Sequence, residues 1–145
     1  MTWTEFWDMY SGGQSKLQWE EIYIEAPEEE ARTIFENRFK IDPDNTTCEC
    51  CGPDYVVEES PTLKQASGRH RDAPCTETKR DPKTGLYLNS DPLACLYLDK
   101  GEKPPKGYKI DTRFSKEDFS SLEEYVKRDD VLVIYKKDIK ESERR

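Results

Sequence analysis

Between about residues 41 and 83 the chain meets five proline breaks, Asp42-Pro43, Gly52-Pro53, Ser60-Pro61, Ala73-Pro74 and Asp81-Pro82. Each proline removes a backbone donor and pushes the preceding residue toward extended geometry, so no long helix or inner strand can run through this stretch. Only Tyr55-Val56-Val57 reads as strand and Pro61 to Ala66 as a helical turn. A loop-rich segment of this length needs a source of order other than its own core.

The same segment carries that source. Cys48-Glu49-Cys50-Cys51-Gly52 is followed by the chain's one histidine, His70, and then by Cys75. Two thiolates three positions apart can ligate one ion, with Gly52 relieving strain after the second. The spacing predicts a zinc site made of Cys48, Cys51, His70 and Cys75, with Cys50 pointing away; Cys50 would replace one of the pair only with an unusual bite. Cys95, within Leu93-Ala94-Cys95-Leu96, reads as a small buried hydrophobe. Four protein ligands close a zinc coordination sphere, so the expected Zn2+ is structural, and its binding energy feeds into folding.

At 145 residues the chain is long enough for one compact domain, 1–145, with 41–83 as a zinc-binding insertion. Hydrophobic residues make up 34% against 37% charged, but 3 Trp, 8 Tyr and 5 Phe supply large burial per residue, which predicts a small aromatic core in a charged shell. Five cysteines with uneven spacing, in a reducing compartment, favour metal or free thiol over a disulfide framework. The absence of a long apolar run or signal-like start predicts no membrane association.

Flanking the broken segment, regular elements are legible. Thr2 and Glu5 have the form of a capping box, and Trp3, Phe6, Trp7 and Tyr10 recur at helical spacing, predicting a short aromatic-faced helix ended by Ser11-Gly12-Gly13. Residues 20–25 alternate as a strand. After Pro27, the acids Glu28, Glu29 and Glu30 and the stripe Ala31, Ile34, Phe35 and Phe39 predict a helix. Short strands are expected at Gly85–Leu88, Ala94–Leu98 and Tyr108–Asp111, a helix over 116–128 opened by Ser115 and Asp118, and an inner strand at Val131–Tyr135. The tail 140–145 is expected to fray. Together these give an α+β domain of about three helices on a mainly antiparallel sheet.

Charge is divided unevenly. Residues 1–60 hold 15 acids and 4 bases, whereas 61–145 hold 16 acids and 19 bases. An acidic half predicts electrostatic steering toward a partner with a basic surface, with Glu28, Glu29 and Glu30 as first candidates. Lys64, Arg69 and Arg71, with Lys79, Arg80 and Lys83, make the middle segment locally basic, a candidate contact for nucleic acid or a small phosphorylated signal. Catalysis finds little support: the chain has one imidazole, and adjacency among 31 acids says nothing of acid–base roles.

The phrases Trp3-Thr4-Glu5-Phe6-Trp7-Asp8-Met9-Tyr10-Ser11-Gly12-Gly13, Ile22-Tyr23-Ile24-Glu25-Ala26-Pro27-Glu28, Thr47-Cys48-Glu49-Cys50-Cys51-Gly52 and Asp130-Val131-Leu132-Val133-Ile134-Tyr135 resemble a family of small tailed-bacteriophage proteins. The resemblance implies expression in a bacterial host cytoplasm and an accessory role toward host machinery, such as binding and inhibiting a defence or nucleic-acid-processing factor. It implies no catalytic residue.

Overall fold

The computed structural model describes residues 2–78, 83–84, 96–111 and 119–145. The chain divides into two compact units, Met1–Ala66 with Val126–Arg145, and Ser67–Tyr125. The proline-broken segment is therefore shared: its first part belongs to the larger unit, and the second unit extends well past residue 83.

In the larger unit a four-stranded sheet is built from β1 (Trp3–Asp8), β2 (Glu21–Ile24), β3 (Tyr55–Ser60) and β7 (Val131–Ile134), in the order β3-β1-β2-β7. β1 pairs antiparallel with both β2 and β3, while β7 runs parallel to β2. Helix α1 (Glu28–Phe39) follows β2, opening after Pro27 with three glutamates at the positive end of its dipole. Ile34 and Phe35 of α1 join Phe6, Ile22, Ile24, Tyr55 and Ile134 in one buried cluster. The Phe6 and Phe35 rings stack at 4.4 Å, and Tyr55 meets Phe35 edge-on at 5.0 Å.

The predicted opening helix is strand β1. Five of its six residues are buried and a hydrogen-bonded strand lies on either side, so large side chains occupy both faces and the period of two is hidden. Trp3, Phe6 and Trp7 then mimic helical spacing. Strand β7 was expected inside the sheet and lies at its edge, pairing with β2 alone among the described residues. Its apolar run reports facial burial, which is blind to whether a further strand is hydrogen-bonded alongside.

The tail does not fray. Glu141–Arg144 forms a 3-10 turn against α1. The Arg38 guanidinium grips Glu143 with two bonds of 2.7 and 2.9 Å, and Asn37 Nδ2 donates to the Glu143 and Arg145 carbonyls.

In the second unit β4 (Cys75–Thr78) lies between β5 (Leu96–Tyr97) and β6 (Tyr108–Asp111), antiparallel to both. The short helix α3 (Leu122–Tyr125) belongs to this unit, while α2 (Leu63–Ser67) runs from the end of the larger unit to its boundary at Ser67, and the α+β class holds. Of the expected strands, Tyr108–Asp111 is found with those bounds, and within the described part of Ala94–Leu98 the strand covers Leu96–Tyr97. The strand at Gly85–Leu88 and the cap at Ser115–Asp118 lie outside the described residues, as does Cys95.

Candidate metal centre

The cysteine loop is anchored from below by two buried carboxylates. Asp8, at the end of β1, accepts the backbone N–H groups of Tyr10 and Lys16 at 2.9 and 2.8 Å, folding the Ser11–Gly13 turn back on itself. Asp54, just before β3, accepts Thr47 through both its N–H and its hydroxyl, each at 3.0 Å, and Asn45 Nδ2 at 3.2 Å. Burial opposes ionisation of Asp54, but the bonds from Thr47 and Asn45 and the charge of Lys16 outweigh it and hold the carboxyl below its ordinary range.

The turn and the loop meet directly. Ser11 Oγ, fully buried, accepts the Cys48 N–H at 2.9 Å. Gly12 has φ of +75°, and a Cβ there would lie 2.9 Å from Thr47 Cγ2, so glycine answers both a backbone and a packing demand. The Ser11-Gly12-Gly13 stretch, expected to stop a helix, instead buttresses the cysteines.

Above this base the chain makes a tight turn: Cys51 N donates to the Cys48 carbonyl at 3.2 Å, and Cys48 bridges to Gly52, whose φ is +78°. The sulfurs of Cys48, Cys50 and Cys51 all lie within 4.8 Å of one another, a group able to hold a metal ion. Cys48 is half-buried and the other two are exposed. The hydrogen bond with the Cys50 thiol, aided by backbone N–H groups and Cys51, lowers the Cys48 thiol from 9.0 to about 7, while the same contact raises Cys50. Near neutral pH a thiolate, the ligand form, is accessible at Cys48.

Zinc–sulfur bonds of about 2.3 Å in a tetrahedron set neighbouring sulfurs about 3.8 Å apart. Cys50 and Cys51 are 3.8 Å apart, matching that edge, whereas Cys48 and Cys50 are 2.9 Å apart, so an ion would spread this pair by about 0.9 Å. The donor set is all soft sulfur, suited to zinc and other thiophilic ions.

The expected ligand set is corrected in two places. Cys75, buried at the start of β4, is disulfide-bonded and offers no thiolate, against the expected preference for metal or free thiol. Cys50, set aside for its spacing, belongs to the sulfur group, because the Cys48–Gly52 turn is tight enough to gather three side chains. The signal that would have found it is the density of three cysteines in four residues. His70 lies in the turn after α2, in the second unit.

The candidate partner residues fare unevenly. Glu28 pairs with Arg32 at 3.4 Å and Glu30 with Arg144 at 3.3 Å, while Glu29 is exposed. Arg69 is exposed and Lys64 half-buried. Arg71 is a core residue of its unit: its Nε donates to Ser67 Oγ at 2.9 Å and its Nη1 to the Ser120 carbonyl at 3.2 Å, with Asp99 at 3.8 Å. It is unavailable to a phosphate. A second group, Glu20, Glu21 and Asp130, brings carboxylates together, and Arg128 pairs with Asp130 at 2.7 Å.

Comparison with protein-family models, with curated proteins and with solved structures returns no match. Among the described residues no helix is long and apolar enough to cross a membrane.

Proposed function

We propose that this is a non-enzymatic bacteriophage accessory protein that carries zinc on its Cys48–Cys51 loop and acts in the bacterial host by binding and inhibiting a host protein. The observation that supports it is the sulfur trio itself: three thiols gathered on an exposed turn whose base is fixed to the sheet by Ser11, Asp8 and Asp54. In this reading zinc is structural toward the loop, holding its shape for recognition, and the acidic first sixty residues steer it toward a basic surface. The engagement of Glu28 and Glu30 within α1 and the tail leaves Glu29 as the first charge of that trio to test. The burial of Arg71 weakens the competing nucleic-acid reading.

Native mass spectrometry of the full chain, with and without denaturation, tests the metal. One zinc per chain, lost in a Cys50→Ser/Cys51→Ser variant, is expected; a protein that stays metal-free when supplied with zinc overturns the proposal.

A further inference from the structure

We infer that the metal held by Cys48, Cys50 and Cys51 is completed by a histidine imidazole of the bound protein, so that the ion is itself part of the docking contact. The inference rests on the zinc reading above and names the chemistry of its partner. Zinc takes four donors, and the loop supplies three sulfurs within four residues, all from one turn. Three donors from so short an arc occupy one side of the ion. The opposite side is where another chain can reach: Glu49, Cys50, Cys51 and Pro53 are all exposed, and a Cβ placed on Gly52 would meet nothing within 4 Å.

Charge selects the donor. Three thiolates on a divalent ion leave a net negative site, beside Glu49 and within the acidic half of the chain. A fourth thiolate would add another negative charge there, whereas a neutral imidazole adds none and is the commonest nitrogen ligand for zinc. A carboxylate is disfavoured for the same reason as a thiolate. The identity of the ligand thereby agrees with a partner whose surface is basic.

The test uses the full chain loaded with Co2+, whose visible spectrum reports donor type and geometry in a zinc site. Free imidazole is the probe for the partner's side chain, and N-acetylcysteine amide is the comparison. Saturable bands shifting on imidazole addition are expected, with apparent Co2+ affinity rising about tenfold by linkage, and the same response in His70→Ala. Correct folding of that variant is checked by circular dichroism. Four outcomes overturn the inference: a spectrum unmoved by imidazole, a stronger response to the thiol, no rise in affinity, or a nitrogen-ligand spectrum before any addition that is lost in His70→Ala. Failure to bind Co2+ or Zn2+ at all instead defeats the zinc reading beneath it.

Discussion

The buried hydroxyl of Ser11 accepts the backbone N–H of Cys48 at 2.9 Å across 37 residues of sequence. Through this bond the position of the first sulfur is set by the turn that follows β1, and hence by the sheet. A cysteine loop on an otherwise irregular segment thus inherits the rigidity of the strand it leans on.

Removing that acceptor should loosen the sulfurs before it unfolds the protein. Ser11→Ala is expected to cost about 1 kcal/mol, the net worth of one such bond, and to weaken zinc binding several-fold. Competition with a chelating dye, read beside thermal melting, checks both. Unchanged affinity would mean the loop holds its shape without the bond.

Gly12→Ala combines a left-handed backbone with a Cβ 2.9 Å from Thr47 Cγ2, and should cost about 2 kcal/mol or more. Adding Thr47→Ser removes that methyl and keeps the hydroxyl bonded to Asp54, so the double variant should recover part of the loss while the backbone penalty stays. Strict additivity in urea denaturation would show that the methyl contact carries no energy.

Alkylation should single out Cys48. With its thiol at about 7, its reaction with iodoacetamide is expected to rise through half-maximum near pH 7 in the metal-free protein, ahead of Cys50. Saturating zinc should suppress the reaction, and Cys50→Ala should move the midpoint upward by removing the largest stabiliser of the Cys48 thiolate. Peptide mapping by mass spectrometry distinguishes the sites.

Acid should release the tail. The hydrogen bond from Arg38, against an opposing cost of burial, lowers the Glu143 carboxyl from 4.5 to about 2. A carboxyl depressed in the folded state contributes stability that is full above pH 4.5 and is lost as pH falls from there toward 2. Glu143→Gln should flatten that part of the stability profile and speed amide exchange over Glu141–Arg144. An unchanged acid limb would assign the loss to other carboxyls.

Arg71→Met should act on stability and not on any ligand. Leaving Ser67, the Ser120 carbonyl and Asp99 without their cation is expected to cost on the order of 2 kcal/mol, with amide exchange accelerating in the Ser67–Tyr125 unit. A variant that folds as well as the parent but loses affinity for single-stranded nucleic acid would restore Arg71 to a binding surface.

Local chemistry made several elements readable. Strand β2 and helix α1 followed from an alternating run, a proline and three glutamates, because each rule acts within a few residues. The cysteine turn was visible for the same reason, and so was the third sulfur, had density been weighed above spacing. Strand β1 misled because burial on two faces erases the alternation that a half-buried strand displays.

The sequence by itself determined that this chain is α+β, that its middle cannot be one regular element, and that thiol chemistry sits at Cys48–Cys51, since composition, proline and spacing are properties of short windows. Tertiary structure decided the rest: that β7 ends the sheet, that the tail is held by Arg38, that Arg71 is buried, and that Cys75 is disulfide-bonded while Cys50 joins the sulfurs. Those outcomes depend on which distant groups meet, as Ser11 meets Cys48, and the free energy of such meetings is written in no single stretch of the chain.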